Sequence, residues 1–383
     1  MKSTKYCHLC SGKLYSEPII NLNGMPKAAQ YYPDENEFAE DKGVSLDIYQ
    51  CSFCGLIQLS MKPVNYFKEV ITAATLSGKS RQSRLQQIQK LVNAFGLKGK
   101  KVLDVGSGKG ELLDVLIEAG LEATGIEASP SSVEIGRIAG RNIINGYIGD
   151  ITTLNCGPYD AFVCLNYLEH LPKPGEIIRN IYNNTTSGAV GFVTVPNVEY
   201  LLRTKCFYEF VADHLSYFTS KTLTHAFEIN GFDVLECSLI NEENDIAVTV
   251  KKKAKLDISE QYSEVDALIR DMQNIIANYT NQNKKVAVWG AGHRTLALLA
   301  LSRLHNIEYI VDSAKFKHGK YSPVMHSRIV SPEHLKENKV DLVIVMVPGL
   351  YPSEVFKTMK EMDIGVEVAA LRDNKIEFIE YIN

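Results

Sequence analysis

A glycine-rich turn between a predicted strand and a predicted helix constrains the fold of this chain more than any other feature. Residues 101–105 form an apolar strand pattern that runs into an Asp-x-Gly-x-Gly-x-Gly turn, made by Asp104, Gly106, Gly108 and Gly110. Glycines lack the Cβ that would keep a ligand away from the backbone, and the following helix offers free N–H groups and the positive end of its dipole. The turn therefore predicts an α/β domain that binds a ligand here.

An acid at the end of the next predicted strand indicates a ligand that contains adenosine. Residues 123–126 lead into Glu127, about 20 residues beyond the turn, where a carboxylate accepts both ribose hydroxyls. Nicotinamide or flavin dinucleotides and S-adenosylmethionine both use this arrangement. Asp104 precedes the glycines, where a carboxylate would repel a pyrophosphate but could bind the methionine ammonium. S-adenosylmethionine is therefore the favoured cofactor.

Two later segments extend a resemblance to class I methyltransferases. Asp150 and Ile151 are expected to meet the adenine edge, and Asn166 follows the predicted strand 161–165 at the mouth of the active site. The resemblance implies methyl transfer from S-adenosylmethionine. An α/β domain without such a ligand is the alternative.

Length and composition indicate a globular protein and disfavour a polynucleotide substrate. The chain has 383 residues, of which 45% are apolar, and this length predicts two or three domains. No apolar run reaches the roughly 18 residues that span a bilayer, and the first residues lead into no signal-like stretch. We therefore expect a cytoplasmic protein without a membrane segment. The net charge of −4 gives no general attraction to nucleic acid.

Two C-x-x-C pairs predict a structural zinc site. They are formed by Cys7 and Cys10 and by Cys51 and Cys54. Four thiolates close a tetrahedral Zn²⁺ site with bonds of about 2.3 Å and leave no open coordination position. Two free redox pairs are the alternative, but neither pair lies in a βαβ context. The metal would hold together an N-terminal module too small to bury much surface by itself.

Changes of pattern divide the chain into three predicted domains. These are a zinc-binding module at 1–70, a methyltransferase domain at 71–255 and a Rossmann-like domain at 256–383. A helical apolar spacing from Leu76 to Phe95 bridges the first two. The following predicted strands alternate with helices and end in a β-hairpin, which is the pattern of a doubly wound sheet: 101–105, 123–126, 161–165, 189–195 and the hairpin 233–250.

The third predicted domain begins with a second strand, glycine-rich turn and helix. Gly290 and Gly292 are not followed by a third glycine, because Thr295 stands where a dinucleotide fingerprint has Gly or Ala. NAD binding is therefore disfavoured. We expect Gly292, with His293 and Arg294, to hold an anionic part of the substrate, and a purely structural turn is the alternative.

The motifs together resemble a known family, the three-domain sugar C-methyltransferases that act on nucleotide-linked keto-deoxysugars in bacterial pathways. The resemblance covers nearly the whole chain and rests on the following segments: the two C-x-x-C pairs, 23–26 (NGMP), 51–59 (CSFCGLIQL), the glycine-rich turn, 213–218 (DHLSYF) and 317–323 (KHGKYSP). It implies a class I methyltransferase domain flanked by the zinc module and the second Rossmann-like domain, with the sugar nucleotide between domains. Lys317 and Tyr321 are implied as substrate-binding residues.

Methylation at carbon requires a base, because the carbon beside a ketone becomes a nucleophile only after it loses a proton. A hydrogen-bond donor must then stabilise the enolate oxygen. His214 is the predicted base, since histidine titrates near working pH, and the resemblance pairs it with the preceding acid, Asp213. His170 matches a second active-site histidine of the family, and Tyr217 is a candidate hydroxyl donor.

The chain departs from the family where two tyrosines are expected. Val211 occupies one position, and residues 70–74 (VITAA) occupy the other. O- or N-methylation of a sugar or another metabolite is therefore an alternative, since His170 or His214 could also deprotonate a hydroxyl. A non-catalytic binding module and an oxidoreductase that uses the second glycine-rich turn are further alternatives. The sequence does not predict whether the chain is a monomer or a dimer.

Overall fold

The structure, a computed structural model, describes residues 5–29, 32–69 and 78–380. Two units make up the chain, Met1–Lys255 and Leu256–Asn383. Residues 70–74, where the sequence departs from the family, lie outside the described residues, as does the predicted helix start at 76. No helix in the part that the structure describes is long and apolar enough to cross a membrane.

The first unit contains three antiparallel N-terminal strands followed by alternating strands and helices. Its elements are β1 (Ile20–Met25), β2 (Val44–Gln50), β3 (Ile57–Leu59), α1 (Gly78–Phe95), β4 (Lys101–Val105), α2 (Glu111–Glu118), β5 (Glu122–Glu127), α3 (Pro130–Ile138), β6 (Ile143–Asn145), β7 (Tyr159–Leu165), α4 (Pro174–Asn183), β8 (Thr185–Pro196), α5 (Val198–Thr204), β9 (Ser216–Tyr217), α6 (Ser220–Glu228), β10 (Phe232–Ile240) and β11 (Asp245–Lys252). The predicted strands and the terminal hairpin are confirmed.

Seven of these strands form the central sheet, in the order β10-β11-β8-β7-β4-β5-β6. Strands β4 to β8 run parallel, β11 is antiparallel to its neighbour β8, and β10 is antiparallel to β11 and so runs in the direction of the parallel strands. Their apolar residues are buried on both faces because helices cover the sheet on both sides. The strand order reverses between β4 and β7, and open α/β sheets bind ligands at such a point, beyond the carboxyl ends of the strands. The glycine-rich turn follows β4 at this place.

A second sheet of the first unit has the order β1-β2-β3-β9. Its last strand, β9, comes from a distant part of the sequence and pairs antiparallel with β3, with Ile57 opposite Tyr217. The cysteine pairs also belong to the main hydrophobic core, where Cys7 and Cys51 are buried with residues of the central sheet such as Val105. The cysteine-containing segment and the central sheet therefore share one core.

The second unit is a doubly wound sheet with a long preceding helix. Its elements are α7 (Ser259–Asn281), β12 (Val286–Trp289), α8 (His293–Ser302), β13 (Ile310–Val311), β14 (Ile329–Val330), α9 (His334–Glu337), β15 (Leu342–Val345), α10 (Tyr351–Glu361), β16 (Glu367–Arg372) and β17 (Lys375–Phe378). The sheet order is β14-β13-β12-β15-β16-β17, and only β17 is antiparallel to its neighbour. This is the Rossmann-like arrangement that the sequence predicted.

Candidate active site

The glycine-rich turn has a backbone that only glycine adopts without strain. Gly106, Gly108 and Gly110 have φ values of +76°, +55° and +79°. A Cβ on Gly106 would lie 2.5 Å from the ring of Tyr167. Larger residues at this position would push the ring or the turn aside. Packing against Tyr167 therefore requires glycine at position 106, and the role of the turn in close ligand approach stays a prediction.

Glu127 fixes the shape of this turn. One of its carboxylate oxygens accepts a hydrogen bond from the backbone N–H of Gly108 at 2.9 Å, and the other accepts one from the backbone N–H of Ser129 at 2.8 Å. The side chain is only 1% exposed. It joins the end of β5 to the turn after β4, and its contact with ribose hydroxyls stays a prediction.

Asp104 offers a buried acceptor beside the turn. It is 2% exposed, and its Oδ2 has no hydrogen-bond partner among the described residues. Burial, with a smaller effect of the Glu127 charge, raises the pKa of Asp104 to about 7. Buried polar atoms in native proteins are nearly always hydrogen-bonded, so an orphaned carboxylate oxygen marks a place for a donor. The ammonium of S-adenosylmethionine fits this requirement.

The other predicted cofactor residues have partners within the protein. Asp150 is exposed and forms an ion pair with Lys68, 2.7 Å from Oδ2 to Nζ. Ile151 packs against the main core. Asn166, in a left-handed conformation with φ +48°, accepts a hydrogen bond from the hydroxyl of Thr194 at 2.7 Å. Contacts of these residues with the adenine ring or the donor stay predictions.

Three ionisable side chains meet beyond β7. The imidazole rings of His170 and His214 pack edge to face with centroids 4.7 Å apart. Nδ1 of His170 lies 2.9 Å from the backbone carbonyl oxygen of Asp213, which directs Nε2 toward Glu169, 3.9 Å from Oε1. Glu169 is 2% exposed, and its Oε2 has no hydrogen-bond partner in the described ranges. We call Glu169, His170 and His214 the acid–base cluster. Their ligand atoms lie within 4.8 Å of one another, close enough for a metal ion as well.

Burial moves the pKa values of two members of the cluster in opposite directions. Burial, assisted by the neighbouring His170, lowers the pKa of His214 to about 3, so its imidazole is neutral at neutral pH. Burial raises the pKa of Glu169 to about 8, so its carboxyl keeps a proton. Pairs of titratable groups with pKa values moved apart in this way are candidates for acid–base chemistry. The pKa of His214 is lower than the near-neutral value expected from sequence, because the ring is enclosed.

Asp213 has partners other than the expected one. Its Oδ2 accepts a hydrogen bond from the backbone N–H of Ala29 at 2.7 Å, and its Oδ1 accepts one from the hydroxyl of Tyr66 at 2.6 Å. Among the residues that the structure describes, no hydrogen bond joins the Asp213 carboxylate to His214. The side chain anchors the segment before His214 to the N-terminal part of the first unit, and its predicted role in orienting the imidazole lacks this contact.

Tyr217 lies close to His214, with ring centroids 6.1 Å apart. Its hydroxyl accepts a hydrogen bond from the backbone N–H of Val211 at 2.9 Å and donates one to the carbonyl of the same residue at 3.2 Å. A catalytic hydroxyl at this position would have to break the second contact.

Sequence reasoning missed Tyr66 and gave Glu169 no role. Glu169 could have been found beside His170, but nothing in the sequence around Tyr66 indicates its contact with Asp213.

The four predicted zinc ligands come together. Their sulfur atoms lie within 4.8 Å of one another, with 3.5 Å between Cys7 and Cys54 and 3.6 Å between Cys10 and Cys51. A tetrahedron with Zn–S bonds of about 2.3 Å has sulfur atoms about 3.8 Å apart. The backbone N–H groups of Leu9, Gly12, Phe53 and Cys54 point at three of these sulfurs at 3.4 Å. Such N–H···S contacts orient and stabilise thiolate ligands, so the residues fit Zn²⁺.

The predicted substrate residues of the second unit fall into two groups. Gly292 precedes α8, and His293 and Arg294 are exposed in its first turn; Tyr321 is also exposed. Lys317 instead forms an ion pair with Asp312, 2.9 Å from Nζ to Oδ2.

Asp312 directly follows β13, at the position where a dinucleotide-binding domain places its ribose-binding acid. Its Oδ2 also accepts a hydrogen bond from the backbone N–H of Ala291 at 2.7 Å. At the position of the missing third glycine, the Thr295 hydroxyl donates to the carbonyl of Met346 at 3.1 Å. Both side chains form hydrogen bonds within the second unit, and the expectation against NAD stays a prediction.

Two family models match consecutive parts of the chain. A model described as a methyltransferase domain matches residues 79–237, and one described as a C-methyltransferase C-terminal domain matches residues 239–366. The fold is the Rossmann-like class I methyltransferase fold, and the matches indicate a methyltransferase that depends on S-adenosylmethionine.

One relative is similar to this protein over nearly the whole chain. The C-methyltransferase NovU of Streptomyces niveus is 21% identical over 388 residues, which are 93% of this chain and 92% of that protein. Together with the two family models, this match supports a C-methyltransferase family.

A second group of relatives matches only part of the chain. The ubiquinone biosynthesis O-methyltransferase of Bordetella avium (strain 197N) is 36% identical over 102 residues, 25% of this chain and 42% of that protein. The chain thus spans less than half the length of this relative. Among solved structures, magnesium protoporphyrin IX methyltransferase from Synechocystis PCC 6803 with bound SAH has a TM-score of 0.39 at 14% identity, covering 48% of this chain and 90% of that one. The PH0226 protein from Pyrococcus horikoshii OT3 has a TM-score of 0.41 at 13% identity, covering 50% and 100%.

Proposed function

We propose that this protein transfers a methyl group from S-adenosylmethionine to a carbon of a nucleotide-linked keto-deoxysugar, with His214 as the base. The observation that carries the proposal is the acid–base cluster beyond β7, in which a neutral imidazole lies next to a protonated carboxyl. The similarity to a C-methyltransferase over nearly the whole chain supports transfer to carbon. A structural Zn²⁺ held by the four cysteines is part of the same proposal.

The residues divide the reaction into proton removal and charge stabilisation. Neutral His214 accepts the proton from the carbon beside the ketone, and the electron pair of that C–H bond moves into an enolate. The protonated Glu169 carboxyl donates a hydrogen bond to the enolate oxygen and stabilises its charge. When bound at Asp104 and the glycine-rich turn, S-adenosylmethionine supplies the electrophilic methyl group. The enolate carbon would form the new C–C bond as the S–CH₃ bond breaks and S-adenosylhomocysteine leaves, and His214, whose pKa is lowered by burial, would release its proton to water.

Methylation of a hydroxyl is the second candidate. The similarity to ubiquinone biosynthesis O-methyltransferases over about 100 residues favours it, since the same cluster can deprotonate a hydroxyl. The location of the new methyl group separates the two candidates. Incubation with a panel of nucleotide-linked keto and hydroxy sugars, followed by mass spectrometry and NMR, gives a C–CH₃ product for our proposal and an O–CH₃ product for the alternative.

Proton removal can be tested apart from methyl transfer. In D₂O without the methyl donor, wild-type protein should exchange the acidic C–H of a keto substrate for deuterium, and His214→Gln should lose this exchange. We expect kcat to fall at least 100-fold while the affinity for S-adenosylhomocysteine is unchanged. His305→Gln, at an exposed histidine of the second unit, is the matched control. If His214→Gln keeps turnover within tenfold of wild type, the assignment of the base is wrong.

A further inference from the structure

The acid–base cluster has the donor set of a metal site as well as that of a proton-transfer site. Glu169, His170 and His214 each offer one ligand atom, and these three atoms all lie within 4.8 Å of one another. Two imidazoles and one carboxylate are a known ligand set for transition metals, and imidazole nitrogens bind Zn²⁺, Ni²⁺, Cu²⁺ and Fe²⁺. The cluster shares no residue with the four cysteines of the predicted zinc site.

His170 is oriented in the way that metal-binding histidines are. Its Nδ1 lies 2.9 Å from the backbone carbonyl oxygen of Asp213, and a carbonyl can only accept, so Nδ1 carries the proton. The lone pair is then on Nε2, which lies 3.9 Å from Oε1 of Glu169. A histidine that binds a metal nearly always donates its other N–H to a carbonyl, a carboxylate or water, which fixes the ring and its tautomer. The Asp213 carbonyl therefore presents Nε2 of His170 to the cluster.

Glu169 gives an independent indication of a ligand. Its side chain is 2% exposed, and its Oε2 has no hydrogen-bond partner in the part of the chain that the structure describes. Native proteins rarely leave a buried polar atom unpaired, and a bound ion is one of the few explanations for such an atom. The enolate oxygen of the proposed reaction would pair with Glu169 only during turnover. A cation would satisfy this carboxylate in the substrate-free protein, since buried charges are paired or coordinate metals.

His214 completes the set without a competing partner. Its ring packs edge to face against the ring of His170, with centroids 4.7 Å apart. Among residues 5–29, 32–69 and 78–380, no side chain or backbone group forms a hydrogen bond with this imidazole. The lone pair of His214 is therefore available, either for a substrate proton or for a metal ion.

We propose that Glu169, His170 and His214 bind a divalent transition-metal ion of the class that imidazole prefers, and that this ion blocks proton removal at the candidate active site. An ion bound to His214 occupies the lone pair that would accept the substrate proton. The ion also replaces the proton of the Glu169 carboxyl, which passes to water. The blocking role rests on the proposed function, whereas binding of the ion does not.

Nickel binding to the full-length protein tests the metal site without turnover. Ni²⁺ is the probe because X-ray absorption at the nickel edge is not affected by zinc at the cysteines. Calorimetry should give one bound Ni²⁺ per chain, and the nickel edge of the wild-type complex should show nitrogen and oxygen neighbours, including imidazole, and no sulfur.

Two variants at the cluster and one control assign the nickel to these residues. His170→Gln and Glu169→Gln should each weaken Ni²⁺ binding by at least about 10-fold. His225→Gln is the matched control, because His225 is a partly buried histidine of the same unit that does not belong to the cluster, and its affinity should equal that of wild type. The melting temperature of each variant reports folding, and the nickel edge of wild type carries the test if the cluster variants do not fold.

The blocking role is tested by the exchange of the substrate C–H for deuterium in D₂O. Ni²⁺ at about ten times its Kd occupies about nine-tenths of the sites and should lower the exchange rate of wild type about tenfold. A nickel chelator should restore the rate. The same Ni²⁺ concentration should lower the rate of His225→Gln to the same extent.

Other results would overturn the inference. Absence of bound nickel, sulfur neighbours at the nickel edge, or equal Ni²⁺ affinities of wild type and the folded cluster variants would contradict the metal site and leave the proposed function intact. Nickel bound at the cluster with unchanged or faster exchange would contradict the blocking role. If metal-free wild type shows no exchange, the proposed function fails together with the blocking role, whereas nickel bound at the cluster would still confirm the metal site.

Discussion

Replacing Glu169 by glutamine should make the first unit more stable at high pH. Glu169 is 2% exposed and has an unpartnered Oε2, so its ionised form would be a buried charge without a counterion. Glutamine has nearly the same size, is neutral at every pH and still offers N–H donors. The substitution Glu169→Gln therefore removes the titration and keeps the shape of the side chain.

The magnitude follows from the pKa of Glu169 in the folded and unfolded chain. Burial raises this pKa from 4.5 to about 8. A carboxyl whose folded pKa is raised contributes stability that is complete below its unfolded pKa and is lost as pH rises through the folded pKa. One pKa unit corresponds to about 1.4 kcal/mol, so the loss between pH 6 and pH 9 is about 3 kcal/mol. Wild type should lose this free energy of unfolding relative to Glu169→Gln.

Urea unfolding of both proteins at pH 6, 7.5 and 9 measures the difference, with circular dichroism as the probe of the whole chain. The chain has a single tryptophan, Trp289, which lies in the second unit. Its fluorescence is an internal control, because the substitution should not move the transition of that unit. Other buried acids such as Asp104 titrate in both proteins, and their contributions cancel in the comparison. Parallel pH profiles for wild type and variant would refute the assignment of Glu169 as a neutral buried acid.

Three further substitutions test the cofactor site, the segment before His214 and the cysteine cluster. Asp104→Asn should weaken S-adenosylhomocysteine binding by about 10- to 100-fold in calorimetry, whereas Asp114→Asn, at a carboxylate paired with Arg141, should not; equal affinities would exclude an ammonium contact. Tyr66→Phe removes a hydrogen bond to the buried Asp213 carboxylate and should lower both kcat and the free energy of unfolding, the latter by about 1–3 kcal/mol. Tyr32→Phe, at an exposed tyrosine, should leave both unchanged, and a Tyr66→Phe protein with wild-type values of both would contradict an anchoring role. Cys54→Ser should lose stoichiometric zinc in atomic absorption and destabilise the N-terminal sheet, while Cys237→Ser, at an exposed cysteine, should keep the metal; metal-free wild-type protein of unchanged stability would argue against a structural zinc.

Local sequence patterns were sufficient for most elements, for the glycine-rich turn and for the clustering of four cysteines. The run from Lys101 to Gly110 predicts a strand and a tight turn because apolar residues and glycines have distinct conformational preferences, and the structure has β4 and three left-handed glycines there. The spacing of the C-x-x-C pairs likewise indicates four metal ligands, independently of the rest of the fold. The structure brings their sulfur atoms within 4.8 Å of one another.

Contacts between distant segments were not predictable in this way. Asp213 was expected to bind the adjacent His214, but its carboxylate accepts hydrogen bonds from Ala29 and Tyr66, more than 140 residues earlier in the chain. Strand β9 has only two residues and joins the sheet of the N-terminal segment because β3 provides its hydrogen-bond partners. No local pattern encodes such pairing, since it depends on how the whole first unit packs.

The sequence by itself determined the α/β fold, the glycine-rich turn and the four clustered cysteines, because strand and helix propensities, glycine conformations and ligand spacing act over a few residues. Only the tertiary structure decided the protonation of the acid–base cluster and the partners of its neighbours. Burial in a common core moves the pKa of His214 down and that of Glu169 up, and burial is a property of the assembled fold rather than of any segment.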